Sequence, residues 1–174
     1  MRVKRATGAI RICVVVLALA GCGRHVVAVI PDGLAVTGSA RATADPTFEV
    51  VARIAGAKDP LPVSGAHVAY ADLETALDQA VLRAVPPRHD HVLTVELVAA
   101  DALYANTRLS VSLVVRATLR AKAGDTFVAQ KQFLCRDGAI IPPEQGARVI
   151  WSCMTRLGQD LGGWLGDLSP SAHK

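Results

Sequence analysis

Residues Arg108–Arg120, RLSVSLVVRATLR, decide the fold. Leu109, Val111, Leu113, Val115, Ala117 and Leu119 share one parity. Arg108, Ser110, Ser112, Val114, Arg116, Thr118 and Arg120 share the other. A period of two sustained this long reads as a β-strand with one buried and one wet face, as in an antiparallel sheet covered on one side. Ala123-Gly124-Asp125 then supplies a hairpin turn, and Thr126–Cys135 is the returning strand. In that strand Lys131 falls on the parity of Phe127 and Phe133, which predicts a bulge or an edge position. On the N-terminal side, His91–Ala99 alternates with Leu93, Val95 and Leu97 on one face.

Helical periods flank this meander. Ala69, Leu73, Ala76, Leu77, Ala80, Val81 and Ala84 recur at intervals of three and four, and Pro86-Pro87 ends the run. Ala147, Ile150, Met154, Leu157, Leu161 and Trp164 form a second stripe after Pro142-Pro143. Gly146 and Gly158 lower its propensity by about 1 kcal/mol each against Ala, and Gly162-Gly163 is a point where it can end. Before the first helix, Phe48–Ile54 is β-branched and reads as a strand, whereas Pro60 and Pro62 mark Gly56–Gly65 as a loop. Val26–Ile30 is a candidate short strand. The order β-α-β-β-β-α gives an α+β two-layer sandwich, with two helices on one face of a mainly antiparallel four-stranded sheet.

The N-terminus is of another kind. Arg2, Lys4, Arg5 and Arg11 precede the apolar run Ile12–Ala20, which is too short to span a bilayer but has the length of a secretory h-region. It ends in Leu19-Ala20-Gly21-Cys22, which resembles the lipobox of bacterial lipoproteins, where the leader is removed and the cysteine takes lipid. The resemblance implies a signal peptide over residues 1–21, lipidation at Cys22, and a chain held on the membrane by that lipid and facing the periplasm. Gly23, where Asp commonly signals inner-membrane retention, favours the outer membrane. Residues 22–47 then form a lipidated tether with a turn at Pro31-Asp32-Gly33. The α+β domain covers 48–166, and 167–174 is a frayed tail.

The leader also accounts for the basic balance. The chain carries nineteen Lys and Arg against fifteen Asp and Glu, a net charge of +4. Four of those cations and none of the acids lie in residues 1–21, so the remainder is neutral. With its arginines scattered, the mature chain is no nucleic-acid binder. Of four cysteines, Cys13 leaves with the leader and Cys22 is lipidated, so Cys135 and Cys153 remain as a pair in an oxidising compartment. A disulfide between them closes a loop of about 18 residues, worth roughly 3 kcal/mol in the chain-entropy model, and pins the last helix to the last strand.

Catalytic patterns are sparse. His89-Asp90-His91 offers two of the three or four ligands that a metal site needs, and reads as a solvated loop. His25 and His67 have no nucleophile at a recognisable spacing. No phosphate-binding glycine motif occurs. No enzyme activity, cofactor or metal is expected. Trp151 and Trp164 read as packing residues. The arginine row Arg108, Arg116 and Arg120 is the candidate partner-binding feature, suited to an acidic surface or lipid phosphates.

Leu73-Glu74-Thr75-Ala76-Leu77, the strand Leu109–Leu119 and the helix end Leu161-Gly162-Gly163-Trp164-Leu165 together resemble two groups of envelope lipoproteins. One is the auxiliary lipoprotein of ABC-type lipid transporters. The other is the lipopolysaccharide-assembly lipoprotein that plugs an outer-membrane barrel. The resemblance implies a non-enzymatic accessory in envelope lipid transport or outer-membrane assembly, with transporter or barrel components as partners. Two alternatives stand beside it: a lipid- or small-ligand-binding lipoprotein with a cavity between helices and sheet, and a metal-dependent hydrolase using His89 and His91.

Overall fold

The computed structural model describes residues 23–30, 49–85 and 90–168. The leader, Cys22, Phe48, His89, most of the tether and the last six residues lie outside them, as do the readings placed there. Seven strands and two helices follow in the order β1 (His25–Ala28), β2 (Glu49–Ile54), β3 (Leu61–Ser64), β4 (Val68–Ala71), α1 (Leu73–Ala84), β5 (His91–Ala105), β6 (Arg108–Ala121), β7 (Thr126–Ile140) and α2 (Ala147–Asp167).

The meander is as its alternation predicts. β5, β6 and β7 pair antiparallel over nearly their whole length. Every odd residue of β6 from Leu109 to Leu119 is buried. The β5–β6 turn is Asn106-Thr107, both at positive φ as the twist of a two-residue hairpin demands. The β6–β7 turn is Ala123-Gly124-Asp125, with Gly124 at φ 81°. β7 carries both features that Lys131 pointed to: it is an edge strand, and its register slips at Val128 between Leu119↔Ala129 and Arg120↔Phe127.

The four-stranded, mainly antiparallel sheet is corrected to a seven-stranded mixed sheet, ordered β1-β4-β3-β5-β6-β7, with β2 also on β5. Three short segments make the difference. β3 contains Pro62, whose missing N–H is tolerable in a strand this short, so the prolines do not make Gly56–Gly65 all loop. β4 absorbs Ala69, which coincides with the helical stripe by chance; the helix starts only after Asp72, at φ 64°. β1 pairs parallel with β4, His25 opposite Val68 through Ala28 opposite Ala71, and lies within the stretch read as tether.

β5 also runs six residues further than its alternation suggests, because of a bulge at Val98. Leu97 pairs with Val115 and Ala99 with Val114, leaving Val98 unpaired. Burial therefore switches from odd residues (Leu93, Val95, Leu97) to even (Ala102). The bulge divides the outer edge of β5: β2 pairs parallel along Val92–Leu97 and β3 along Ala102–Leu103. At the division, Gly56 brings its Cα against the Val98 carbonyl, where an added Cβ would sit 2.5 Å from the oxygen.

Both helices pack on one face of the sheet and against each other. α2 continues past Gly162-Gly163 to Asp167. Gly158 and Gly162 are its contact with α1: a Cβ at either would fall 2.6 Å from the Ala80 carbonyl oxygen or 2.5 Å from that of Ala84. The low propensity of these glycines is offset by this close approach of the two backbones. The Cys135–Cys153 disulfide joins the β7 core face to α2, with Cα atoms 5.7 Å apart. Phe133 and Trp164 meet edge to face beside it at 5.8 Å. Asp59 Oδ2 accepts from the Leu73 N–H at 3.1 Å and so satisfies one free donor of the first turn of α1.

Tyr70 locks the opposite flank. Its ring is fully buried, and its hydroxyl donates to the Pro143 carbonyl at 2.6 Å. Gly146, ahead of α2, leaves the room that this hydroxyl and Leu109 occupy. Burial pushes the phenol up to about 12, and the Glu144 carboxylate adds to the rise.

Candidate functional site

With the helices on one face, the even residues of β6 define the other. They lie in cross-strand rows. Arg53, Glu96, Arg116 and Gln132 form one across β2, β5, β6 and β7. Arg53 Nε donates to Glu96 Oε1 at 2.9 Å, and Arg116 Nη1 stands 3.7 Å from Oε2. Glu96 is only 12% exposed, so the two guanidiniums hold its charge in a half-dry position. Arg120 pairs with Asp125 of the hairpin turn at 3.1 Å. Two of the three arginines singled out from the sequence thus have carboxylate partners within the sheet.

Arg108 differs. Its guanidinium lies over Gly138, with Nε 3.3 Å from where a Cβ would be. The adjoining rows are Leu103–Ser110–Gly138 and Asp101–Ser112–Arg136. Together these residues line an open depression of about 490 Å³. Among the described residues neither Arg108 nor Arg136 has an ion-pair partner. Around them Leu103 and Leu134 are each 52% exposed and Ile140 75%. Large apolar side chains interleaved with unpaired arginines suit contact with an amphipathic or acidic surface better than solvation alone. The alternation of β6 exposes Arg108 to a sequence reader. Arg136 and Ile140 escape notice because β7 is read only to Cys135.

The remaining candidates are dispersed. His91 Nδ1 is 2.6 Å from Asp90 Oδ1. His25 and His67 are exposed, and the His67 carbonyl accepts from the His25 N–H at 2.7 Å, tying β1 to the β3–β4 turn. Trp151 carries the Arg83 guanidinium at 5.4 Å from its ring. Among the described residues no group of three or more His, Cys, Asp or Glu is placed to hold a metal ion, and no helix is long and apolar enough to cross a membrane.

No family model matches the chain, and no curated protein matches it. Solved structures superpose on the chain to different degrees. A Xanthomonas campestris protein of family DUF330 superposes with a TM-score of 0.54 at 16% identity, covering 68% of this chain and 83% of that one. A Neisseria meningitidis lipoprotein gives 0.37 at 13% identity, over 69% of this chain and 97% of that one. A minor lipoprotein of Acinetobacter baumannii gives 0.35 at 11% identity, over 67% and 93%. The first likeness is one of fold; the other two superpose too loosely to add to it.

Proposed function

We propose that this chain is a bacterial lipoprotein, anchored through Cys22 and facing the periplasm, with the outer membrane favoured over the inner. Its role is that of a non-enzymatic docking module in envelope lipid transport or outer-membrane assembly. The leader and its Leu19-Ala20-Gly21-Cys22 terminus support the anchoring. The carrying observation for docking is the solvent-facing depression, where Arg108 and Arg136 have no ion-pair partner among the described residues and Leu103, Leu134 and Ile140 are exposed around them.

The test is affinity capture of the full chain from membranes. A transporter or barrel component should co-purify, and Arg108→Glu with Arg136→Glu should release it while leaving the fold intact by circular dichroism. Recovery of the chain alone counts against the role. The anchoring is tested apart from it: Cys22→Ser should move the protein from the membrane to the soluble fraction, and a variant that stays membrane-bound removes the lipoprotein reading.

A further inference from the structure

The outer edge of β7 is protected along only part of its length. Sheet edges are blunted by bulges and by inward-pointing charges. In β7 the bulge at Val128 and the helix-side Lys131 both lie in the N-terminal half. Lys131 Nζ rests 5.3 Å from the Phe133 ring centre, and among the described residues it has no carboxylate partner. From Gln132 to Ile140 the edge has no bulge, its one helix-side charge, Asp137, is already engaged by Arg156 of α2, and it presents Leu134 and Ile140 to solvent. No described strand pairs with it. A strand added here that brings an acidic residue opposite the exposed Lys131 gains a cross-strand charge pair.

We propose that this edge pairs antiparallel with the same edge of a second copy, around a two-fold axis at Leu134. Each residue then faces the one equally far beyond the axis. Lys131 of each copy meets Asp137 of the other, Gln132 meets Arg136, and Gln130 meets Gly138. Asp137 already accepts from Arg156 at 3.2 Å, so the incoming ammonium joins a carboxylate that is held in place. Neighbouring registers lose this match. An axis at Phe133 or Cys135 sets Asp137 opposite Ala129 or Phe133, and an axis at Arg136 sets two guanidiniums face to face, which is unfavourable. The bulge at Val128 ends the pairing just beyond Gln130. The exposed lysine thus finds its acidic partner in the chain's own sequence, and the two sheets continue as one with all four helices on the same side.

The experiment measures self-association of the full chain by sedimentation equilibrium up to the millimolar range, with the fold of each variant checked by circular dichroism. A concentration-dependent monomer–dimer equilibrium is expected. Lys131→Asp should weaken it about tenfold, since two symmetry-related ion pairs become like-charge contacts, and adding Asp137→Lys to Lys131→Asp should restore it. Leu134→Cys, placed on the axis, should give a dimer linked through the two introduced sulfurs under mild oxidation, mapped by mass spectrometry, whereas Thr118→Cys in mid-sheet should not. A monomer at every concentration, or a dimer indifferent to Lys131→Asp, overturns the proposal.

Discussion

The β5–β6 hairpin is flanked in two different ways. On the β6 side a single strand, β7, follows through a short turn and pairs from end to end. On the β5 side two short strands share one edge, both parallel to β5, and β4 and β1 extend the sheet beyond β3. The first flank is built from neighbours in sequence and is pinned to α2 by a disulfide. The second is built from distant pieces, such as Arg53 beside Glu96 and Tyr70 against Pro143, and relies on fitted glycines and one buried hydroxyl. The difference teaches that one sheet can rest on covalent and local constraints on one side and on tight non-local fit on the other.

Substitutions on the two sides sharpen the contrast. The largest effect is expected at Gly65, which stands at φ 83° with its Cα against the Tyr104 carbonyl. Gly65→Val meets both a forbidden backbone and a collision, and should lose roughly 4 kcal/mol in urea denaturation. A loss under about 1 kcal/mol would mean that the non-local flank does not depend on fit. Next is the covalent side: Cys135→Ala with Cys153→Ala should cost about 3 kcal/mol, read in the same titration.

Tyr70 gives a pH-dependent comparison. The phenol ionises near 10 in the unfolded chain and at about 12 when folded. Its contribution is therefore complete below pH 10 and disappears as pH rises through 12, a decline of roughly 2 to 3 kcal/mol. Tyr70→Phe should cost about 1 to 2 kcal/mol at neutral pH by orphaning the Pro143 carbonyl, and should flatten the alkaline decline. Equal alkaline slopes in the two proteins would assign the decline to another group. The smallest effect is expected on the open face, where Arg108→Ala should change stability by less than about 0.5 kcal/mol. A larger loss would make that arginine part of the fold rather than part of a contact surface.

The same division governs what a reader of the sequence can see. β6 alternates without error because one side packs on helices and the other meets water, and the turn at Ala123-Gly124-Asp125 needs only local chemistry. The cysteine pair is legible by counting. β3 and β4 are four residues each, too short to show a period, and Ala69 falls on the helical stripe although it belongs to a strand. The Val98 bulge inverts the pattern midway through β5, so the strand looks finished where it only turns over. Gly158 and Gly162 read as weak points because their role depends on Ala80 and Ala84, which no local window contains. Of the candidate surface, Arg108 is visible from alternation. Its lack of an ion-pair partner among the described residues, and its company of Arg136, Leu134 and Ile140, are visible only once three strands are side by side.

The Cys135–Cys153 bond closes the end of β7, the turn after it and the first turns of α2 into a covalent ring. A protease that cuts the backbone once between Arg136 and Ser152 opens the ring but releases nothing. The severed helix stays tied to its strand, and the two pieces separate only on reduction. In a compartment without thiol reductants, the segment from Arg136 to Ser152 can be nicked and the domain still hold together as one molecule.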